Sequence, residues 1–409
     1  MPSSLKRLAL LLCCAALLAS AARAAEDLEG FSAARLARLH RFMQQATDST
    51  GYLGAVTLVM RHGRVVDWQA YGSRDLARSA PMPRDAIFRI YSMTKTITSI
   101  AVLMLMEEGR LGLDDPLARY LPAFASMQVS AGGTADTPVL RPARRPITLR
   151  HLLTHTAGFA TTEVGAVEAA DLRDFTARLA RVPLAADPGQ RFAYDGMATE
   201  TLARVVEVVS GLPFDRFLQQ RVFEPLGMRD TGFSVPPAQR ARIADLTVMG
   251  DDARLKLADT PSAIHPGEPL RRYPSGAGGL YSTAADYARL CQMLLDGGRV
   301  DGVSLLGRKT VALMMMNHLV GMLDPPVTSF SDAEGFGLGG SVLIDPARRG
   351  RPGSPGQFGW AGHASTTFTI DPQEQMIAIL LMQHLPRDDG PDLPRIGARF
   401  YTLVYQALE

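Results

Sequence analysis

Ser92 and Lys95 stand three residues apart in "YSMTKTITSIAVLMLMEEG", at the head of an apolar run. The chain holds only four lysines, Lys6, Lys95, Lys256 and Lys309, so one placed beside an apolar helix calls for a use. At a spacing of three on one helix face the Cβ atoms lie about 5–6 Å apart, and an amine can reach a hydroxyl. Apolar surroundings disfavour the ammonium form, which leaves a neutral amine able to take the hydroxyl proton. If the serine also opens the helix, its backbone N–H lacks an intrahelical partner and offers half of an oxyanion hole at the positive end of the dipole. The pattern has a second reading, a capping serine followed by a lysine whose stem covers apolar surface. It also recurs at Ser3 and Lys6, where a leader gives it no catalytic meaning.

The surrounding elements must position this pair. "LGAVTLVMRHGRVVDWQAYG" is two strand-like runs about a His62-Gly63 turn. Beyond Ser92 the pattern turns helical: Ile97 to Glu108 with Gly109 as its stop, "ITLRHLLTHTAGF" closing near Gly158, and "TETLARVVEVVSG" ended by Gly211. Strands return in "FGLGGSVLIDP", "ASTTFTIDP" and "QMIAILLMQ", and an amphipathic helix follows in "RIGARFYTLVYQAL". Strands at both ends with helices between predict one sheet domain from both chain ends and a helical domain inserted between them.

A length of 409 residues and 46% hydrophobic content suffice for two packed cores. The net charge of +2 is spread without long runs, which argues against a nucleic-acid partner. The N-terminus has Lys6 and Arg7, an apolar run from Leu8, then Ala22-Arg23-Ala24. It reads as a signal peptide over 1–24, the run being shorter than the roughly 20 residues of a membrane span. An uncleaved anchor is the alternative. Cleavage would leave Cys291 as the sole cysteine, so the core and not a disulfide must hold the exported protein.

Five stretches carry a resemblance: "FRIYSMTKTITSIAVLMLMEEGRLGLDDPLARYLP", "ITLRHLLTHTAGF", "FAYDGMATETLARVVEVVSGLPFDRFLQQRVFEPLGMRDTGF", "SGAGGLYSTAADYARLCQMLLDGG" and "GWAGHASTTFTIDP". Over most of its length the chain resembles the serine β-lactamase and penicillin-binding-protein superfamily, in its class C-like and esterase branch. The resemblance implies a β-lactamase-like fold, α/β plus all-α, with an antiparallel sheet, flanking helices and an inserted helical domain. The expected division is an α/β domain over 25–85 and 330–409 and a helical domain with long loops over 86–329. It implies Ser92 as nucleophile, Lys95 as its base, and Tyr194 as the tyrosine of the family's Y-x-N motif, sharing acid and base work. Trp360, Ala361 and Gly362 fall where β-lactamases have K-T-G, and His363 would supply the second oxyanion N–H.

The departures matter as well. Asn317 is the only asparagine, so neither Y-x-N nor S-D-N is complete, and Gly196 stands at the third position from Tyr194. No K-T-G exists, because Lys95 and Lys309 are each followed by Thr and then a non-glycine. The missing groups hold the amide side chain and carboxylate of β-lactams. The W-x-G replacement is similar to that of family VIII carboxylesterases, so the expected activity is that of an exported serine hydrolase, a carboxylesterase on small esters working through an acyl-enzyme. β-Lactamase, D-amino-acid peptidase and acyltransferase activities stay open, as does a non-catalytic binding protein on the same scaffold. The expected partner is a small-molecule ester or amide substrate, with no cofactor, no metal and no membrane after signal cleavage. A periplasmic location is expected if the source is a double-membraned bacterium.

Other patterns fit bland roles better. His151 and His155 are spaced like metal ligands on a helix, but Leu152 stands where a zinc-protease motif needs Glu. Gly335, Gly337 and Gly340 satisfy G-x-G-x-x-G, yet "SVLIDP" after them reads as a strand and not the helix a phosphate site requires. "LMMMNHL" is expected to be core or pocket lining.

Overall fold

The computed structural model describes residues 28–48, 50–134, 137–160, 165, 167–328 and 330–409. The expected signal segment 1–24 lies outside the described residues.

One seven-stranded antiparallel sheet organises the molecule. Its strands are β1 (Gly54–Arg61), β2 (Arg64–Gly72), β3 (Glu334–Phe336), β4 (Ser341–Leu343), β5 (Phe358–Gly362), β6 (Thr366–Asp371) and β7 (Met376–Met382), in the spatial order β3-β4-β5-β6-β7-β1-β2. The two N-terminal strands therefore join C-terminal ones through β1 and β7, with Ala55 opposite Met382 and Arg61 opposite Met376. His62 and Gly63 both take positive φ in the β1–β2 turn, the conformation a tight primed hairpin demands.

Burial alternates along β7 as its period-two geometry requires. Met376, Ala378, Leu380 and Met382 face one core, while Ile377, Ile379 and Leu381 face another. The first core is closed by helices α1 (Ala33–Ala46) and α5 (Gly397–Tyr405) through Leu36, Leu39, Met43, Phe400 and Val404. The second is larger and takes in α2 (Thr94–Glu107), α3 (Met197–Ser210) and α4 (Ala284–Leu295). Helix α4 belongs to the expected helical segment 86–329, yet it packs directly on β1, β6 and β7. Its apolar residues Tyr287, Leu290, Cys291 and Leu294 need the sheet face to cover them.

Helix α2 is buried from Thr94 through Leu105. A helix that is apolar nearly all round can only be an interior one, and this one carries Lys95 inside with it. Helix α3 packs against α2 and ends at Gly211, whose φ of 78° lets the chain leave in the left-handed region.

Candidate active site

Ser92 sits in a 3₁₀ turn, Tyr91–Met93, that runs directly into α2. Tyr91 takes φ 41°, a costly conformation for a side-chain-bearing residue. The segment before it is pinned: Ile90 N–H donates to Leu280 at 3.0 Å, and the fully buried Arg89 guanidinium donates to the carbonyls of Ala244 (3.0 Å) and Ser262 and to Gln383 Oε1 (3.1 Å). This framework presents Ser92 partly exposed.

Lys95 Nζ donates to Ser92 Oγ at 3.2 Å and to the Ala277 carbonyl at 2.7 Å. With only 4% of its surface exposed, the lysine does not run its stem out to solvent. The Ser92 side chain caps no helix N–H, so the capping alternative does not describe this pair. Tyr194 lies on the other side of the amine, its ring centroid 5.0 Å from Nζ, within range of a cation–π contact. Its hydroxyl accepts from Trp360 Nε1 at 3.4 Å. The tyrosine ring thus lies against the Lys95 amine, with its hydroxyl bonded to Trp360.

Trp360 lies on β5, which runs beside the Ser92 turn. Gly362, on the same strand, shows how close the two come: a Cβ there would stand 2.3 Å from the Ile90 carbonyl oxygen and 2.3 Å from Thr366 Oγ1. Only a glycine permits that approach. His363 follows, exposed, with its ring edge-on to Tyr91 at 6.1 Å. Among the described residues neither the Ser92 nor the His363 backbone N–H donates to a protein acceptor, which leaves both available at this rim.

The structure brings other groups to the site that sequence reasoning missed. Phe336 and Phe330 lie 5.1 and 5.7 Å from Trp360, and Phe330 is also 5.5 Å from Tyr194. They form an apolar wall, with no local sequence signal beyond aromatic type. His155 is fully buried 4.7 Å from Tyr194, with Asp195 Oδ2 3.7 Å from its Nδ1. Burial, with Lys95 nearby, holds its titration below the ordinary imidazole value. His151 instead accepts from the Thr148 N–H at 3.1 Å in a capping box, and burial pushes it down to about 4. The two histidines serve separate local structures. Gly335, Gly337 and Gly340 lie in or between β3 and β4, and the strand β4 follows them directly. Asn317 Oδ1 accepts from Leu319 and Phe336 N–H groups at 3.1 and 3.2 Å, and of the three methionines Met314 is buried while Met316 is exposed.

A serine hydroxyl 3.2 Å from a buried amine is an arrangement that can perform acyl transfer. The family model for Beta-lactamase matches residues 39–399. The chain belongs to the Beta-lactamase family. Within it, the chain is 34% identical over 363 residues to Protein Rv1367c of Mycobacterium tuberculosis, covering 84% of this chain and 89% of that one. It is 31% identical over 377 residues to Esterase EstB of Burkholderia gladioli, covering 86% and 91%. Among solved structures, EstCE1, a hydrolase with promiscuous acyltransferase activity, superposes with a TM-score of 0.75 at 27% identity, covering 91% of this chain and 98% of that one. The large antiparallel sheet with its helices is the Beta-lactamase-family fold, and the chain is a serine hydrolase of that family.

Proposed function

We propose that this chain is an exported carboxylesterase that cleaves small esters through an acyl-enzyme on Ser92. The observation that carries the reading is the 3.2 Å contact between the buried Lys95 amine and the partly exposed Ser92 hydroxyl. A neutral Lys95 takes the Ser92 proton as Oγ adds to the ester carbonyl. The resulting ammonium lies against the Tyr194 ring and donates to the Ala277 carbonyl, so both contacts favour the charged state as it forms. The Ser92 and His363 N–H groups meet the oxyanion. The proton then passes to the leaving alcohol, and water completes the cycle by the reverse route.

Preference for esters rests on the wall of the site. Trp360, with Phe330 and Phe336, presents rings where a lysine would bind a β-lactam carboxylate. Export rests on the leader read in the sequence, with a periplasmic address in a double-membraned source. A second reading, acyl transfer to an alcohol acceptor, draws on the likeness to EstCE1.

The test is a panel of short p-nitrophenyl esters, nitrocefin and D-Ala-D-Ala peptides given to the purified protein, with and without an added alcohol. Esters are expected to turn over fastest. Faster turnover of nitrocefin or of the peptide would replace the ester assignment, and a transfer product with the alcohol would establish the second reading. Lys95→Ala is expected to lower ester turnover by roughly 1000-fold, since nucleophile and base act as a unit.

A further inference from the structure

The amine of Lys95 is held by a backbone carbonyl, and a buried acid holds that backbone. Glu200, on α3, has no exposed surface. Its carboxylate accepts from the Ser275 hydroxyl and, at 3.0 Å, from the Gly276 N–H. The next residue is Ala277, whose carbonyl takes Lys95 Nζ at 2.7 Å. Between them the Gly276 carbonyl accepts from Thr98 Oγ1 at 2.8 Å, one turn along α2 from the lysine. A Cβ at Gly276 would lie 2.7 Å from Ala203 Cβ and 3.0 Å from the Thr199 carbonyl oxygen. Residues 275–277 are therefore clamped between α2 and α3, and Glu200 is the ionisable member of the clamp.

We propose that Glu200 is a positioning residue for Lys95: its carboxylate fixes the Ser275–Ala277 backbone, and that backbone holds the amine against Ser92 Oγ. The proposal rests on the acyl-enzyme reading above. It adds no covalent step; the proton still moves from Ser92 Oγ to Lys95 Nζ, and Glu200 sets where Nζ stands when it does.

Protonation of Glu200 removes one acceptor oxygen from the clamp. Burial pushes the carboxyl up to about 7, against the hydrogen bonds from Ser275 and Gly276 and the charges of Lys95 and Arg271. Tyr273, the other titratable group that faces it, is pushed up by burial and by Glu200 in turn. The clamp is thus charged and complete above neutral pH and neutral below it. Glu200→Gln imitates the neutral form at every pH.

The test compares p-nitrophenyl acetate hydrolysis by wild type, Glu200→Gln and Ser275→Ala over about pH 5 to 9, with acylation of Ser92 followed by intact mass. Wild-type kcat is expected to fall as pH drops through about 7. Glu200→Gln is expected to lose that inflection and to show kcat down roughly tenfold above it with KM within about twofold, the change in rate for one charge-assisted hydrogen bond. Ser275→Ala keeps the carboxylate, so it is expected to keep the inflection with a smaller loss of kcat. A Glu200→Gln profile superimposable on wild type, or a change in KM alone, overturns the proposal while Ser92 acylation stands. If Glu200→Gln fails to fold, Ser275→Ala decides, and an unchanged kcat in that variant overturns the proposal. No acylation of Ser92 in wild type would overturn the acyl-enzyme reading itself.

Discussion

At the scale of single residues, Lys95 is held on three sides: Ser92 Oγ, the Ala277 carbonyl and the Tyr194 ring. Two of these were readable. The serine follows from its spacing, and the tyrosine from the flanking resemblance. The Ala277 carbonyl was not, because a backbone oxygen has no sequence signature and is brought in by chain folding 182 positions away. Glu200 was missed for a related reason, since one acid in "MATETLARVV" looks like a solvent-facing residue until the packing of α3 is known. Its buried state has a stability consequence with a definite sign. A carboxyl raised from 4.5 to about 7 binds its proton more tightly folded than unfolded. The cost of ionising it is absent below about pH 4.5, grows as pH rises and is complete above 7. Glu200→Gln is therefore expected to be more stable than wild type at alkaline pH, on the order of 3 kcal/mol, with the gap closing toward pH 4.5. Urea melts at several pH values measure this, and a variant less stable at high pH would contradict it.

At the scale of elements, β5 and the Ser92 turn meet at Gly362. A methyl there collides with the Ile90 carbonyl and Thr366 Oγ1, so β5 and the His363 turn must move away from Ser92. Gly362→Ala is expected to lower kcat by about 10- to 100-fold through displacement of one oxyanion donor, measured on a p-nitrophenyl ester. Full activity would show that His363 N–H is not needed. The sequence read these elements unevenly. Gly109 and Gly211 marked the ends of α2 and α3, and both take positive φ. The start of α2 fell earlier than the periodicity implied, at Thr94 and not Ile97, because polar Thr94, Lys95 and Thr96 are buried there for reasons tertiary structure supplies. Helix α1, with Leu36, Leu39 and Met43 on its buried face, is not among the elements expected from the sequence. The hairpin joining Gln128–Gly133 to Pro138–Pro142 was unreadable in a stretch of Gly, Thr and Pro; Arg141 secures it with a two-pronged bond to Asp187 at 2.9 and 2.7 Å.

At the scale of the whole molecule, strands from both chain ends share one sheet, and that sheet carries β5 to the Ser92 turn. That strands of both chain ends share a sheet was legible in the strand-like runs at either end, but which strand pairs with which was not, because an apolar run does not name its neighbour. The packing of α4 on the sheet was not legible, because a helix shows which face is apolar but not which neighbour covers it. The C-terminal helix closes the first core with Phe400, wholly buried against α1 and the sheet. Phe400→Ala is expected to cost about 3–5 kcal/mol, read as a fall in Tm; an unchanged Tm would mean that α5 is dispensable.

Acylation of Ser92, with its proton passing to Lys95, is what the proposed ester chemistry requires. The most direct measurement is intact-protein mass after brief exposure to a fluorophosphonate or a slow p-nitrophenyl ester, followed by peptide mapping. A single adduct on Ser92 is expected, lost in Ser92→Ala together with a fall in turnover of roughly 1000-fold or more. Continued ester hydrolysis by Ser92→Ala, or an adduct that maps to another residue, would contradict it.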